Sequence, residues 1–228
     1  MGIETSEFSK RMKRYEAATA YLLPRRMPVI IRIDGRAVHA ITSTRWGKSY
    51  ADGFVETMMS IGLYVANEIQ GCTLAYGQSD EISFLLTDYR LITTDAWFGY
   101  DLNKVVSISA GLASAKASRL LDDEVCFDSR AFPIPPDEVC NYFIWRQRDA
   151  TRNAILMAGQ EHYSHKELHE KNTDQIQEML FAKGVNFNDY PVRRKRGWCI
   201  TNSVIDTEPP IFTQERSYIE RHVFVRED

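Results

Sequence analysis

The 228-residue sequence predicts an α+β fold, with an antiparallel sheet and flanking helices. Three short apolar runs have the composition of strands, and a helical repeat lies between the first run and the other two. The second and third runs are separated by only a few polar residues. Parallel strands need a crossover of a dozen or more residues, so these two runs are expected to pair as an antiparallel hairpin.

The first predicted strand covers residues 28–33 and is rich in β-branched side chains. Pro28 opens it and Asp34-Gly35 follows it, which is the punctuation expected around a short buried strand. Asp34 therefore falls at a strand end.

A helix is predicted from about residue 50 to residue 70, and Gly71 stands where a helix stop is expected. Its core-facing side chains are predicted to be Phe54, Met58, Ile61, Val65 and Ile69. The next two strands, 72–77 and 82–86, enclose a polar turn that contains Asp80. A strand, a crossing helix and a hairpin would bring Asp34 and Asp80 to one edge of the sheet.

These two aspartates have the chemistry of a magnesium site. Mg²⁺ prefers hard oxygen ligands, usually one or two carboxylates completed by phosphate oxygens and water, and the Gly35 carbonyl has no side chain to obstruct it. Two such metals ~3.5–4 Å apart would hold the attacking and leaving oxygens of a phosphoryl transfer. Asp-Gly and Ser-Asp-Glu are also common turn sequences, so spacing alone leaves an ordinary surface turn open.

A second long helix is predicted from about residue 137 to residue 160, after Pro135-Pro136. Its expected core contacts are Val139, Tyr142, Phe143, Ile155 and Leu156. The middle of the helix is densely polar, with Arg146, Gln147, Arg148, Asp149 and Arg152. A solvated face and a face toward nucleotide or another subunit both explain this composition.

Histidine, aromatic and cysteine residues later in the chain each have a structural and a functional interpretation. No convincing fourth ligand accompanies the histidines His162, His165 and His169, and Ser164 is expected to cap a helix. RNA contact or structural hydrogen bonding is therefore favoured over zinc for them. Core positions are favoured over base stacking for Tyr163, Phe187, Tyr190 and Trp198. Reduced core positions are predicted for the cysteines Cys72, Cys126, Cys140 and Cys199, which lack CxxC spacing.

The net charge of −3, from 28 basic and 31 acidic residues, hides local clusters of basic residues. One cluster is the run 193–196, and another lies between residues 10 and 26. Such patches can bind phosphate although the average is acidic, while a solvated surface turn would explain the run equally well. No apolar stretch reaches ~20 residues and residues 1–14 are charged, so a soluble cytoplasmic protein is expected.

Several motifs, in this order, resemble the tRNA(His) guanylyltransferase superfamily. They are IRIDGR at 31–36, YGQSDEIS at 76–83, FDSR at 127–130, WRQRD at 145–149, SHKELH at 164–169 and KRG at 195–197. The resemblance spans roughly residues 9–201. It implies a polymerase/cyclase-like palm over residues 1–135, with a C-terminal extension of helices and a small strand element over 136–228. It also implies an enzyme that adds nucleotides to the 5′ end of tRNA, growing the strand in the 3′-to-5′ direction.

The resemblance also implies a set of site residues. Asp34, the Gly35 backbone and Asp80 would bind two Mg²⁺ ions, and Glu81 would support this catalytic site. Contacts to nucleoside triphosphates, ATP and GTP among them, are implied for Arg36, His39, Lys48, Ser79, Lys104 and Arg130. Lys104 and Arg130 would contact the activating nucleotide. The tRNA contacts are expected from Arg146, Arg152, Asn153, His165, Lys166, Arg193, Arg194, Lys195 and Arg196. Relatives of this kind form homotetramers, arranged as dimers of dimers.

Two departures from the eukaryotic pattern bear on the substrate. The sequence TRNA at 151–154 replaces a His-Ile-Asn-Asn run, and Asp101 stands where a basic residue is usual. The first departure is similar to the bacterial and archaeal branch, which repairs 5′-truncated tRNAs by templated addition. Guanylate addition to tRNA(His) remains the alternative, followed by a nucleotide cyclase and a non-catalytic tRNA-binding protein.

Overall fold

A computed structural model describes residues 6–36, 38 and 52–224 of the chain. The described strands form one sheet in the order β4-β1-β3-β2-β5-β6, and every neighbouring pair is antiparallel. The strands are β1 (Val29–Arg36), β2 (Cys72–Gln78), β3 (Glu81–Leu86), β4 (Cys126–Pro133), β5 (Trp198–Thr201) and β6 (Val204–Asp206). The predicted antiparallel sheet and its hairpin are confirmed.

Helices precede, separate and follow the strands. They are α1 (Glu7–Ala17), α2 (Asp52–Glu68), α3 (Leu102–Leu121), α4 (Pro136–His162), α5 (His165–Leu168), α6 (Thr173–Ala182), α7 (Val192–Arg196) and α8 (Ser217–Glu220). The two long helices predicted from the sequence are α2 and α4. Between β1 and β4 the chain follows the β-α-β-β-α-β order of a split βαβ arrangement.

The two faces of the sheet are covered differently. On one face, β1 and β3 side chains such as Ile31, Ile33 and Phe84 pack in a core shared with α2 and α3. On the other face, which we call the α4 face, Ile30 and Leu85 pack beneath α4. Residues 212–223 pack on this face as well. Asp128 and Arg130 remain more than half exposed, so this part of the face is accessible.

Trp198 at the start of β5 is a core residue with 1% of its surface exposed. Gly77 and Gly62 make room for its ring, since a Cβ at either position would lie 2.2 or 2.6 Å from the indole. Trp198 is therefore not available to stack on a base, as predicted. Phe187 is also buried.

Two core assignments predicted from the sequence are wrong. Leu156 is not a core contact, because it lies on the outer side of α4 with 38% of its surface exposed. Cys126 is exposed at the first position of β4, whereas Cys140 and Cys199 are buried and Cys72 is half-buried. All four cysteines are free thiols. Both residues lie inside short apolar runs, 154–158 and 125–127, where hydrophobicity alone does not identify the side chain that faces out.

Within the described ranges, no helix combines the length and the apolar composition that crossing a bilayer would need.

Candidate active site

A row of carboxylates crosses the end of the α4 face. Asp34 on β1 lies opposite Glu81 on β3 and opposite Asp128 on β4. Cross-strand partners share a face of the sheet, so the three side chains are neighbours. Asp80 precedes Glu81 in the hairpin turn, and its carbonyl accepts a hydrogen bond from the Gly35 N–H at 3.1 Å. The structure thus brings Asp34 and Asp80 together, as the spacing predicts.

The hairpin turn holds the Asp80 carboxylate in place. Ser79 has a φ of +51°, which is uncommon for a residue other than glycine. Its hydroxyl donates a hydrogen bond to Asp80 Oδ1 at 2.9 Å. Ser79 and Asp80 are the two loop residues of a tight hairpin, in which the first central residue takes a positive φ, so the turn itself fixes the position of Asp80.

Excess negative charge gathers around Asp34. Burial raises the pKa of the Asp34 carboxyl, and the carboxylates of Asp80 and Asp128 raise it further. The guanidinium groups of Arg32 and Arg130 oppose this effect without cancelling it. A bound cation would relieve this repulsion and stabilise the ionised form.

The residues beside Asp34 suit a magnesium ion. At Gly35, a Cβ would lie 2.4 Å from Val38 Cγ2 and 3.1 Å from Asp80 Cβ, so only glycine permits this approach. Across the described part of the chain, no group of three or more His, Cys, Asp or Glu side chains is arranged to hold a metal. The donors that the structure brings together are the carboxylates of Asp34 and Asp80 and the Gly35 carbonyl, which would leave the other positions of a Mg²⁺ ion to phosphate oxygens and water.

Glu81 is held by Arg146 of α4. Arg146 Nε and Nη2 donate to the two Glu81 oxygens at 2.7 and 2.8 Å, and Nη2 also donates to Asp149 at 3.1 Å. Burial raises the pKa of Glu81 and outweighs the lowering by Arg146 and Arg32, so the net pKa is raised. The two short bonds to Arg146 oppose this effect by stabilising the ionised carboxylate. Burial lowers the pKa of Arg146, but Glu81 outweighs it, and the net pKa is raised.

The placement of Arg146 corrects its expected role. The sequence predicts it among the tRNA contacts, but only 5% of its surface is exposed and its guanidinium is bonded to carboxylates. It connects α4 to the carboxylate row and orients Glu81. The sequence could not show this because an arginine in a polar helix segment is usually solvated.

Beside the carboxylates lies a pair of basic groups, Arg32 and Arg130, of which the sequence singled out Arg130 but not Arg32. Arg32 on β1 lies opposite Arg130 on β4 and Ser83 on β3. Arg32 is largely buried; its Nη1 lies 3.8 Å from Glu81 Oε2, and its Nε has no hydrogen-bond partner among the described residues. Arg130 Nη2 lies 3.4 Å from Asp128 Oδ1 in a largely exposed pair. The unpaired Nε of Arg32, beside a second arginine whose pair is open to solvent, suits an anionic ligand such as a phosphate. The available signal was a lone charged residue within the apolar run 28–33.

The other expected nucleotide contacts are more scattered. Arg36 is exposed at the end of β1, and Lys104 is exposed in the first turn of α3, a helix that packs on the opposite face. Asp101 is the N-cap of α3 and accepts a hydrogen bond from the Lys104 N–H at 3.1 Å. The acid at 101 thus has a structural role in this chain. His39 and Lys48 lie outside the described residues.

Two members of the basic run on α7 are neutralised by carboxylates. Arg193 pairs with Asp52 at 2.8 Å, and Arg194 pairs with Glu161 at 3.5 Å. The side chains of Lys195 and Arg196 instead donate to backbone carbonyls, which orients them without cancelling their charge. The run is therefore a half-buried structural segment, and only its second half presents net positive charge.

Lys195 and Arg196 line a groove of about 430 Å³ between α4, α6 and α7, which we call the basic groove. Arg148 and Arg152 line its α4 side. No described residue that lines it carries a carboxylate. Arg152 pairs with Asp149, which lies outside the lining, at 2.5 Å.

The remaining expected tRNA contacts lie on two other surfaces. Asn153 lines a small cavity of about 50 Å³ together with Ser79 and the neutralised Arg193 and Arg194. His165 and Lys166 are exposed on α5, which begins at the Ser164 capping box predicted from the sequence.

Comparisons with known proteins agree on one family. Residues 9–135 match the family model described as "Thg1: tRNAHis guanylyltransferase". A solved structure named "Bacterial tRNA(HIS) Guanylyltransferase (Thg1)-Like Protein in complex with ATP" is 41% identical, with a TM-score of 0.92 over 96% of this chain and 100% of that chain. A structure of the same name in complex with GTP is 40% identical, with a TM-score of 0.86 and the same coverage. A probable tRNA(His) guanylyltransferase of Dictyostelium discoideum is 27% identical over 194 residues, which is 74% of this chain and 73% of that protein.

Proposed function

Because the chain belongs to the Thg1 family of tRNA guanylyltransferases, which are nucleotidyltransferases, we propose that it extends 5′-truncated tRNA in the 3′-to-5′ direction, using the opposite strand as template. The observation that carries this proposal is the pairing of two rows on the α4 face. Asp34 and Asp80 would supply negatively charged oxygen ligands, and Arg32 and Arg130 would supply positive charge two residues along the strands on the same face.

The reaction has two phosphoryl transfers. First, an oxygen of the tRNA 5′-monophosphate attacks the α-phosphorus of ATP and releases pyrophosphate. The 3′-hydroxyl of an incoming nucleoside triphosphate then attacks the 5′-phosphorus, a phosphodiester forms, AMP leaves and the hydroxyl proton passes to solvent. A 5′-triphosphate would enter at the second transfer and release pyrophosphate.

The residues at the sheet edge have separable roles in these transfers. Asp34, the Gly35 carbonyl and Asp80 would hold two Mg²⁺ ions, which lower the pKa of the attacking hydroxyl and neutralise the leaving group. Arg32 and Arg130 would bind triphosphate oxygens. Glu81, held by Arg146, would fix the position of the hairpin turn relative to α4. The edge would thus work as the active site of a polymerase-like palm.

The resemblance of segment 151–154 to the bacterial and archaeal branch favours repair over guanylate addition to tRNA(His). It lies within α4, where Arg152 lines the basic groove and Asn153 lines the small cavity. The names of the relatives favour the guanylate product instead. Both substrates therefore belong in the first assay.

The assay is 5′-end extension with Mg²⁺ and single nucleoside triphosphates. One substrate is full-length tRNA(His) with a 5′-monophosphate, and the other is a tRNA that lacks its first nucleotide and carries a 5′-triphosphate. We expect the truncated tRNA to gain the nucleotide complementary to its template and tRNA(His) to be a poor substrate. Extension of tRNA(His) alone would establish the alternative activity, and a cyclic product made without RNA would establish a cyclase.

The variant Asp80→Ala tests the site itself. We expect extension to fall by at least about 1000-fold, because removing a metal ligand removes the charge stabilisation of the transferring group. The matched control is Asp123→Ala, which changes an exposed aspartate in the loop before β4. A fully active Asp80→Ala enzyme would rule out the two-metal site.

The resemblance also supports a homotetramer. Closed dimers of dimers are a common symmetric assembly, and a long tRNA could contact more than one subunit of it. Sedimentation at micromolar concentration should show four chains, and a monomer would refute this proposal.

A further inference from the structure

Trp145 on α4 is a large aromatic side chain that the proposed reaction does not use. It is 54% exposed, whereas Trp97 and Trp198 are 6% and 1% exposed. It belongs to the WRQRD segment, in which Arg146 reaches the carboxylate row. Trp145 is therefore half-exposed and adjacent in sequence to the residue that binds Glu81 of the candidate active site.

The position of Trp145 follows from its neighbours on α4. The Tyr142 hydroxyl is 2.8 Å from Ser83 Oγ on β3, and its ring contacts Phe132 on β4 at 5.7 Å. Tyr142 therefore crosses over β1, which lies between those strands. Phe143 packs toward Tyr76 of β2. Successive helix residues are ~100° apart, so Trp145 lies on the flank of α4 that is turned from β2 toward β1 and β4.

That flank borders the open part of the α4 face. The strand residues there are Arg32, Asp34, Asp128 and Arg130, whose side chains share the face with Tyr142's partner Ser83. Arg130 and Asp128 are more than half exposed, so α4 does not cover them. Trp145 is thus placed beside the cross-strand pairs Arg32/Arg130 and Asp34/Asp128.

The ring of Trp145 is held before any ligand arrives. Arg146 places its guanidinium carbon 4.5 Å from the ring centroid, and Tyr142 packs edge-on at 5.9 Å. Arg146 is itself fixed by Glu81 and Asp149. A ring fixed on one face and exposed elsewhere loses little entropy when a flat ligand stacks on it.

We propose that Trp145 is a base-stacking platform for a nucleoside triphosphate whose phosphates lie on Arg32 and Arg130. The ligand class follows from the two kinds of contact, since two arginines suit phosphate oxygens and an exposed indole suits a flat base. Stacking is tolerant of base identity but is stronger for purines, so ATP and GTP should bind more tightly than CTP and UTP. This subsite deepens the proposed function and rests on it for the placement of the phosphates.

The test compares two ligands that differ in having a base. ATP and inorganic tripolyphosphate, each with Mg²⁺ and without RNA, are titrated calorimetrically into the wild type and into Trp145→Ala and Trp145→Phe. We expect Trp145→Ala to weaken ATP by about 5- to 150-fold and to leave tripolyphosphate within about twofold, with Trp145→Phe in between for ATP. The control Phe181→Ala removes a 70% exposed ring on α6 and should change neither affinity.

Three outcomes overturn the proposal. They are unchanged ATP affinity in Trp145→Ala, equal loss of ATP and tripolyphosphate, and equal affinity of the wild type for both ligands. If Trp145→Ala does not fold, Trp145→Phe decides through tryptophan fluorescence, because ATP should quench the wild type more than the variant. These titrations need no RNA and no turnover, so a protein that stacks ATP but extends no tRNA would refute the proposed function and leave the platform intact.

Discussion

At the scale of single residues, Asp34 lowers the stability of the fold at the position where a metal ligand is proposed. It is half-buried between Asp80 and Asp128, and burial and both carboxylates raise the pKa of its carboxyl. A carboxyl whose pKa is raised by folding destabilises the native state once pH exceeds its unfolded pKa. Without a cation, the ionised Asp34 is therefore a net cost to the fold at neutral pH.

The variant Asp34→Asn should separate stability from activity. It removes the repelled charge but keeps the shape, so in EDTA its melting temperature should exceed that of the wild type, by about 2–4 °C for each kcal/mol gained. Added Mg²⁺ should raise the melting temperature of the wild type and not of the variant, because only the wild type binds it. Nucleotide transfer should be lost.

Asp123→Asn is the control for this measurement, since it removes an exposed charge of the same kind. It should shift the melting temperature little and respond to Mg²⁺ like the wild type. A less stable Asp34→Asn in EDTA would mean that Asp34 makes favourable contacts that outweigh the repulsion.

Individual residues of the site differ in how well the sequence predicts them. Asp34 and Asp80 were predictable because each ends an apolar strand, and strand ends meet at one edge. Arg32 was not singled out because its significance depends on cross-strand register, which places it opposite Arg130. Register follows from tertiary packing, so one strand read alone does not reveal such pairs.

At the scale of elements, α4 is the part that organises the site. One stripe of α4 packs on the sheet through Tyr142 and Phe143, and the next turn contributes Arg146 to Glu81. The opposite side contributes Arg148 and Arg152 to the basic groove. The dense polar middle of this helix therefore combines a buried ion pair and a charged groove, two environments that composition does not distinguish.

Breaking the ion pair from one side should be costly. Arg146→Met leaves the buried Glu81 with only the longer contact to Arg32 at 3.8 Å, so the free energy of unfolding should fall by about 3 kcal/mol, measured by urea denaturation. The double variant with Glu81→Met should recover much of this loss, because two apolar side chains replace two charges. Nucleotide transfer should stay low in both variants, because neither has a Glu81 carboxylate positioned by Arg146.

Arg152→Met on the same helix is the matched control. Its pair with Asp149 is largely exposed on the arginine side, and such pairs contribute only about 0–1 kcal/mol. If Arg146→Met lowers the free energy of unfolding no more than this control does, the ion pair between Arg146 of α4 and Glu81 of β3 does not stabilise the fold.

At the scale of the whole molecule, charge is distributed so that an acidic protein can bind an acidic partner. The net charge is −3, yet the basic groove is lined by four cations and by no described carboxylate. The run 193–196 alone would mislead, since Arg193 and Arg194 are paired with acids. The sequence could not predict the groove, because its four cations come from α4 and α7, which are adjacent only in the fold.

We expect the basic groove to bind the sugar-phosphate backbone of tRNA. The double variant Arg148→Gln/Arg152→Gln should weaken tRNA binding across different sequences, because phosphate contacts carry little sequence information. The slope of log affinity against log salt should fall by about one for each phosphate that the variant no longer neutralises. Filter binding at several salt concentrations measures both quantities.

The matched control is Lys116→Gln/Arg119→Gln on α3, which removes the same charge from the helix that packs on the opposite face. It lowers the net charge equally, so any effect of overall charge appears in both double variants. If both weaken tRNA equally, the attraction comes from the average field of the protein. If only the α4 variant changes the salt slope, the groove contacts phosphates directly, because the slope counts neutralised phosphates and net charge alone does not set it.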